Sequence, residues 1–360
     1  MNALEERIRA EIRKDGPISV ERYMALCLFD PDFGYYTTRE PFGAAGDFTT
    51  APEISQMFGE MLAAWWVSAR QAMNMPDLAL VEIGPGRGTL MSDMLRTIGR
   101  LDNGALPDAH MVEASPRLTR SQREKLMGAG ANVSWHASPE TLPEAPLGII
   151  ANELFDAIPA AQYVKTKDGW FERSVCVGKD GRLAFGTGAQ KLEEALLPAG
   201  HAVQPDGQIF EHAPARTAML QALARRIKRC GGFVLVFDYG HAEPGFGDTL
   251  QAVKSHEYAS IFDHPGEADL TAHVDFATPA AAARHEGLHA CEIISQGEFL
   301  KGCGMESRAA KLKSAGSAAA RGSVDSALRR LTSDGEMGRL FKVLCVASAP
   351  IDLPPLKIQH

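Results

Sequence analysis

Short, continuously apolar runs alternate with helical stretches through the middle of this chain. Apolar runs of this length fit strands that are buried on both faces of a parallel sheet. Their alternation with helices indicates βαβ units and therefore a doubly wound α/β core. The apolar runs are Leu78–Ile83, Ala109–Ala114, Asn132–Trp135, Leu147–Ile150 and Phe233–Phe237, and the helical stretches are Thr89–Ile98, Ser115–Met127 and Ala213–Arg229.

Other segments lie outside this alternation. Residues 160–188 predict two or three antiparallel strands, because the Asp-Gly pairs at 168–169 and 180–181 are strong hairpin turns. The runs at about His289–Ile294 and Phe341–Ala347 are expected to complete the sheet as a closing pair. The tract Ala309–Ser323, rich in Lys, Ala, Ser and Gly, predicts a mobile surface helix or loop.

Helical patterns precede the core. Residues 1–26 are helical in pattern with a break at Gly16-Pro17, and a second helix is predicted from about Ser55 to Met73. The predicted organisation is an N-terminal helical extension at residues 1–74 and a core at residues 75–350. The core carries an insertion at about 160–230.

Composition and charge restrict the class of protein. The 360 residues are 45% hydrophobic and 23% charged, which is ordinary for a globular chain. The net charge of −8 disfavours a nucleic-acid partner. Six scattered cysteines without a CxxC pair indicate reduced thiols and no metal site. With an acidic start and no apolar run near the ~20 residues of a membrane span, we expect a bacterial cytoplasmic protein without an integral membrane segment.

A glycine-rich turn follows the first strand of the core. Residues 81–90 read VEIGPGRGTL, with Gly84, Gly86 and Gly88 between a buried strand and a helix. Such glycines let the backbone turn tightly and approach a ligand closely. Glu113 ends the next strand, about where such folds place a carboxylate for ribose hydroxyls.

The spacing of the glycines indicates which ligand is bound. A dinucleotide fingerprint, G-x-G-x-x-G, requires its third glycine at position 89. This chain has Thr89 there, so the fingerprint does not match. The observed G-x-G-x-G, preceded by Glu82, is the form typical of methyltransferases. Their ligand has a charged amino acid end, and Glu82 is expected to face its ammonium group.

Four further segments join the glycine loop in resembling one family. They are Gly46–Gly59 (GDFTTAPEISQMFG), Ala151–Pro159 (ANELFDAIP), Asp238–His241 (DYGH) and Asp269–Phe276 (DLTAHVDF). Together these motifs closely resemble the MidA family, in the same order over about residues 15–300. That family includes the mitochondrial arginine methyltransferase that assists the assembly of respiratory complex I.

The resemblance implies a class I methyltransferase fold with a Rossmann-like seven-stranded sheet. It also implies S-adenosylmethionine as the cofactor and a protein arginine as the methyl acceptor. A bacterial homologue of the complex I (NADH dehydrogenase) core subunit is the natural candidate substrate. The last ~60 residues carry no motif that resembles the family.

Acidic side chains beyond the fourth core strand are the catalytic candidates. Carboxylates bind a guanidinium in a two-pronged fashion, and the carboxyl edge of a doubly wound sheet is where ligands bind. Glu153 is the first candidate, Asp156 is the second, and Asn152 is expected to contact the cofactor. The alternative is that Asn152 and Asp156 cap a following helix.

Two other motifs carry open alternatives. Asp238 either lines the substrate channel or only fixes a loop. His273 is a candidate proton acceptor or docking residue, although a lone histidine is more often structural.

A loop before the core is expected to close over the methionine end of the cofactor. Gly43 and Gly46 lie near the hydroxyl residues Thr49 and Thr50, and Glu53 follows. The alternative is that this loop is only the entry turn of a helix.

Several rival functions remain open to test. A nicotinamide-dependent oxidoreductase is disfavoured by the missing third glycine. A nucleic-acid methyltransferase is disfavoured because residues 152–155 read NELF where such enzymes usually carry N-P-P-Y or D-P-P-Y. A cofactor-binding assembly chaperone without catalysis and a small-molecule methyltransferase remain as alternatives.

Overall fold

The computed structural model describes residues 1–39 and 49–357. These residues form two compact units. The core unit takes its described residues from Thr49–Phe155, Met219–Ala242 and Val274–His360. The accessory unit takes its described residues from Met1–Phe48, Asp156–Ala218 and Glu243–His273. Neither unit is a single continuous stretch of sequence.

Helices lie at both ends of the chain and between the strands of its middle. The α-helices are α1 Ala3–Asp15, α2 Val20–Phe29, α3 Tyr35–Thr38, α4 Ala51–Ile54, α5 Gln56–Ala72, α6 Thr89–Leu101, α7 Pro116–Lys125, α8 Pro214–Cys230, α9 Ala277–His285, α10 Gln296–Gly302, α11 Met305–Ala315, α12 Ala318–Thr332 and α13 Met337–Leu340. Short 3-10 helices lie at Pro139–Thr141, Glu194–Leu196 and His201–Val203.

The strands are short except for those at the centres of the sheets. They are β1 Ile18–Ser19, β2 Ala79–Ile83, β3 Ala109–Val112, β4 Val133–His136, β5 Leu147–Asn152, β6 Ala161–Thr166, β7 Gly169–Val177, β8 Leu183–Lys191, β9 Ile209–His212, β10 Gly232–His241, β11 Gln251–Lys254, β12 Glu257–Ala259, β13 Asp269–Thr271, β14 Val274–Asp275, β15 His289–Ala290, β16 Ile294–Ser295 and β17 Phe341–Ala347.

One large mixed sheet forms the centre of the core unit. Its main path runs β15-β17-β10-β5-β2-β3-β4, and the short strands β14 and β16 pair with β10 and β17. The five strands from β4 to β10 are parallel, whereas β17 is antiparallel to both of its neighbours on the path. The strand order reverses between β2 and β5, and ligands bind at such a switch point in open α/β sheets.

Burial explains why the central strands are mostly apolar. Every residue of β2 and β5 is buried. On the sheet, Phe58 of α5 packs edge-to-face on Phe237 with ring centroids 5.5 Å apart. Trp65 of the same helix packs on Phe233 at 5.2 Å. A strand covered in this way cannot alternate between apolar and polar residues, which is the pattern that the sequence shows.

The accessory unit is built on smaller antiparallel sheets. A five-stranded sheet has the order β1-β7-β6-β9 with β8 on β7, and a separate sheet has the order β12-β11-β13. Leu4, Ile8 and Ile12 form the buried stripe of α1 at helical spacing. Ser19 caps α2 by accepting a hydrogen bond from the Arg22 N–H.

Most of the predicted elements are confirmed. The five apolar runs are strands, the closing pair is present, and the 160–188 region contains antiparallel β6, β7 and β8. The tract 309–323 contains the end of α11 and the start of α12. The predicted boundary at 74/75 does not coincide with the two units, and the predicted domain division stays a prediction.

Among the described helices, none has the length and the apolar character that a membrane crossing requires.

Candidate functional site

The glycine loop joins β2 to α6 at the switch point of the core sheet. Gly84, Gly86 and Gly88 have φ values of 67°, 51° and 75°, a region that side chains with a Cβ disfavour. A Cβ on Gly84 would lie 2.8 Å from Leu154 Cδ1. The loop therefore needs glycine for its conformation, and its exposed backbone is open to a ligand at Gly84.

Glu113 follows β3 and is held beside this loop. Its Oε1 accepts a hydrogen bond from the Ser115 N–H at 2.7 Å, and its Oε2 accepts one from Gln122 Nε2 at 3.1 Å. Burial raises the pKa of the Glu113 carboxyl, and these hydrogen bonds oppose the rise. A carboxylate oxygen can accept more than one hydrogen bond, so Glu113 retains capacity for ribose hydroxyls.

Glu82 is buried within β2. Burial raises the pKa of its carboxyl from 4.5 to about 8, and a hydrogen bond from the Met91 backbone opposes the rise. Within residues 1–39 and 49–357, Glu82 Oε2 has no hydrogen-bond partner. A buried acceptor without a donor is costly, so this oxygen suits a ligand that brings an N–H.

Asn152 and Glu153 stand where β5 ends. Asn152 is buried, and its Oδ1 also lacks a partner among the described residues. Its Nδ2 donates to Glu153 Oε1 at 3.1 Å. The backbone of Glu153 has a φ of 50°, which is uncommon for a residue other than glycine. Such strained positions cluster at functional sites.

Glu153 also holds the start of α4. Its Oε1 accepts a hydrogen bond from the Ala51 N–H at 2.8 Å. The Glu153 N–H donates to the Phe237 carbonyl at 2.8 Å, which ties it to the neighbouring strand β10. The Ala51 N–H therefore orients the side chain, and β10 holds its backbone, at the carboxyl edge of the sheet.

Asp238 fixes the turn that follows Glu153. Its Oδ2 accepts hydrogen bonds from the N–H groups of Leu154 at 3.1 Å and Phe155 at 2.8 Å. Its Oδ1 accepts one from the Tyr239 N–H at 2.9 Å. Of the two roles left open by the sequence, these contacts favour loop fixing.

No helix begins directly after Asp156. Residues 153–160 form bends, a turn and irregular backbone, and the next regular element is β6. The alternative in which Asn152 and Asp156 cap a following helix is therefore wrong. Asp156 Oδ1 instead accepts a hydrogen bond from the N–H of its own neighbour Ala157 at 2.9 Å.

Asp156 and His273 both belong to the accessory unit. Their backbone carbonyls accept hydrogen bonds from the buried Arg216, at 3.1 Å and 2.6 Å respectively. The His273 N–H donates to Thr249 Oγ1 at 2.9 Å. Arg216 thus brings the backbones of these two predicted residues together, and their catalytic roles stay predictions.

The proposed covering loop is described in part. Gly43 and Gly46 lie outside the described residues. Thr49 and Thr50 are half-buried, and Thr50 precedes α4 without a side-chain hydrogen bond to that helix. Glu53 accepts a hydrogen bond from the hydroxyl of Thr89, the first residue of α6.

The site as a whole fits S-adenosylmethionine. A backbone turn with three glycines provides room for close approach, and Glu113 can accept from ribose hydroxyls. Two buried acceptors, on Glu82 and Asn152, suit the three N–H donors of a methionine ammonium group.

The fold and the site define a class I S-adenosylmethionine-dependent methyltransferase. A family model described as S-adenosyl-L-methionine-dependent methyltransferase matches residues 61–294. The chain belongs to this family, the MidA family, and the predictions of fold class, enzyme class and cofactor are confirmed.

Solved structures agree with this assignment. A protein from Burkholderia thailandensis, solved with bound S-adenosyl-homocysteine, is 29% identical with a TM-score of 0.84. The similarity covers 96% of this chain and 92% of that protein. A native structure from the same organism gives a TM-score of 0.81 over 96% of this chain and 91% of that one.

Curated relatives carry a more specific name. The Drosophila melanogaster "Protein arginine methyltransferase NDUFAF7 homolog, mitochondrial" is 33% identical over 98% of this chain and 88% of its own length. The Xenopus tropicalis "Protein arginine methyltransferase NDUFAF7, mitochondrial" is 34% identical over 96% of this chain and 86% of its own length.

Gln122 was not predicted from the sequence. It is fully buried and donates from Nε2 to the Gly86 carbonyl at 2.8 Å, as well as to Glu113. The signal was present, since Leu118 and Gln122 share one face of α7 and Leu126, the residue that ends the helix, continues the spacing of four. A polar residue on an apolar helix face needs a buried partner.

Proposed function

We propose that this methyltransferase modifies an arginine side chain of a protein, with Glu153 binding the guanidinium. The observation that carries the proposal is the position of Glu153 after β5, in a left-handed backbone conformation beside Asn152. The names of the curated relatives support arginine as the methyl acceptor.

The cofactor would be held by described residues of the core unit. The backbone of residues 84–88 would approach it, Glu113 would accept from its ribose hydroxyls, and the open acceptors of Glu82 and Asn152 would accept from its ammonium. When bound, S-adenosylmethionine supplies an activated methyl group together with its leaving group.

Glu153 would then orient the acceptor. A carboxylate beside the guanidinium aligns the attacking nitrogen and disperses the positive charge. With the methyl group supplied by the cofactor, Glu153 would hold the attacking nitrogen in place, and the methylated guanidinium would give up one proton to water. The Ala51 N–H keeps Glu153 Oε1 in place during this step.

The target is proposed to be a bacterial homologue of the complex I core subunit. Support for this target comes from the resemblance to the MidA family. A bacterial cytoplasmic location stays a prediction of the sequence.

Labelling of a cell extract tests the proposal. Purified protein and methyl-labelled S-adenosylmethionine are added to an extract from cells that lack this chain, and labelled peptides are sequenced by mass spectrometry. Label on an arginine of one protein supports the proposal, and label on another residue type or on small molecules only contradicts it.

A variant separates catalysis from a chaperone role. Glu153→Gln should abolish labelling, whereas Glu140→Gln, at an exposed carboxylate, should not. If Glu153→Gln loses labelling but still restores complex I assembly in cells, the methyl transfer is not what assembly requires.

A further inference from the structure

We propose that Gln122 is a positioning residue for the cofactor. Its side-chain amide joins the two halves of the cofactor cradle, which we define as residues 84–88 together with Glu113. Nε2 donates to the Gly86 carbonyl at 2.8 Å and to Glu113 Oε2 at 3.1 Å. The inference rests on the cofactor site of the proposed function and does not depend on arginine as the target.

The orientation of the Gln122 amide is determined by Trp135. The indole Nε1–H of Trp135 donates to Gln122 Oε1 at 3.0 Å. An indole N–H can only donate, so the oxygen of the amide must face Trp135 and the nitrogen must face the cradle. Trp135 is itself covered by the Arg123 guanidinium, 4.2 Å from the ring centroid.

The contact with Gly86 fixes a peptide plane in the loop. Because a trans peptide directs its C=O and N–H in opposite directions, holding the Gly86 carbonyl also sets the direction of the Arg87 N–H. The N–H points away from Gln122. The amide of Gln122 therefore determines which way a backbone donor of the cradle faces.

The contact with Glu113 sets the carboxylate that we assign to the ribose. Ser115 donates to one carboxylate oxygen of Glu113 and Gln122 donates to the other. Without Gln122, Oε2 would lose this donor, and the carboxylate would be less firmly held in its orientation. Gln122 is fully buried, so water cannot readily replace its two hydrogen bonds.

The variant Gln122→Met tests this role, because it keeps the length of the side chain and removes both donors. We expect its affinity for S-adenosyl-homocysteine, measured by titration calorimetry, to fall roughly tenfold or more. The control is Gln296→Met. Gln296 of α10 is equally buried and donates to the carbonyl of Leu331 in α12. That control should leave the affinity within about twofold, even if it lowers the melting temperature.

A second ligand separates positioning from a general structural role. The 2′-deoxy analogue of S-adenosyl-homocysteine lacks a hydroxyl that Glu113 is proposed to bind. The wild type should discriminate between the two ligands more strongly than Gln122→Met does. If the variant weakens both ligands by the same factor, or binds S-adenosyl-homocysteine as tightly as the wild type, the proposal is overturned.

Trp135→Phe provides an independent test if Gln122→Met does not fold. It removes the indole N–H that orients the amide and leaves Gln122 present. We expect a smaller loss of affinity, about threefold, with the same reduced discrimination against the deoxy ligand. Unchanged discrimination in Trp135→Phe would overturn the proposal as well. Both measurements are independent of methyl transfer, so failure to find a methylated arginine would not decide them.

Discussion

Glu153 Oε1 accepts a hydrogen bond from the backbone N–H of Ala51, at 2.8 Å and across 102 positions of sequence. The contact joins the end of β5 to the start of α4 within the core unit. The backbone of Glu153 has a φ of 50°. The same residue therefore combines a strained backbone with a long-range side-chain contact. This combination is why we assign the guanidinium to Glu153.

Glu153→Gln should reduce the turnover of methyl transfer by about 10²- to 10⁴-fold. The amide oxygen can still accept from the Ala51 N–H, but the negative charge that faces the guanidinium is lost. Affinity for S-adenosyl-homocysteine should stay within about threefold of the wild type. Labelled-methyl kinetics and calorimetry measure the two quantities, and full turnover in the variant would rule out the assigned role.

Glu82 should make the stability of the protein fall as the pH rises. The pKa of Glu82 in the folded protein is about 8, above the ordinary 4.5. Between these two pH values the folded protein therefore holds a proton that the unfolded chain has released. Its contribution is fully present below about pH 4.5 and is lost as the pH rises through about 8, at up to about 1.4 kcal/mol per pH unit. Glu82→Gln should flatten this part of the stability curve, measured by urea unfolding from pH 5 to 8.5. An unchanged slope would show that the carboxyl is not buried in its neutral form.

Binding of the cofactor should release protons near neutral pH. Glu82 is mostly protonated there, and an ammonium group placed beside it would lower its pKa and drive the proton off. Calorimetry of S-adenosyl-homocysteine in buffers of different ionisation enthalpy measures this release. Glu82→Gln should abolish the buffer dependence, and a wild type without any such dependence would place the ammonium elsewhere.

Gly84→Ala should weaken cofactor binding more than an alanine at another left-handed glycine. The new Cβ would meet Leu154 Cδ1 at 2.8 Å and would add backbone strain at a φ of 67°. Gly128→Ala is the matched control, because its φ is 83° and nothing lies within 4 Å of its Cβ position. Each substitution should cost roughly 1 kcal/mol of stability from strain. Only Gly84→Ala should lower the affinity for S-adenosyl-homocysteine. Equal affinities in the two variants would contradict the claim that residues 84–88 contact the cofactor.

Replacement of Thr49 and Thr50 by valine should weaken cofactor binding by about tenfold if their hydroxyls face the ligand. Valine keeps the branched shape and removes only the hydrogen-bonding groups. Thr97→Val serves as the control, because the Thr97 hydroxyl donates within α6 to the Asp93 carbonyl. Unchanged affinity in the double variant would support the alternative of a simple helix-entry turn.

The core sheet could be predicted because burial on both faces leaves a local signature. The runs that became β2, β5 and β10 are apolar apart from Glu82, and the glycines at 84, 86 and 88 lie where the backbone is left-handed. The composition of the accessory unit does not follow from local patterns, since it is assembled from three separate segments. Tertiary contacts decide such an assembly, and local patterns do not report them.

The candidate site, like the fold, could be predicted from the sequence only in part. Glu113 and the glycine loop follow from strand ends, whereas the left-handed backbone of Glu153 is held by contacts to Ala51 and Phe237 that no local pattern reveals. Gln122 lies between these cases. Its four-residue spacing from Leu118 and Leu126 marks a buried polar group, but its partners become known only from the fold.

A crystal structure with S-adenosyl-homocysteine tests the central claim most directly. The account predicts the ribose hydroxyls within hydrogen-bond distance of the Glu113 carboxylate and the ligand's ammonium at the open oxygens of Glu82 and Asn152. The backbone of residues 84–88 should contact the part of the ligand that lies between its ribose and its ammonium group. A ligand bound elsewhere, or a turn at residues 84–88 closed against it under saturating conditions, would contradict the account.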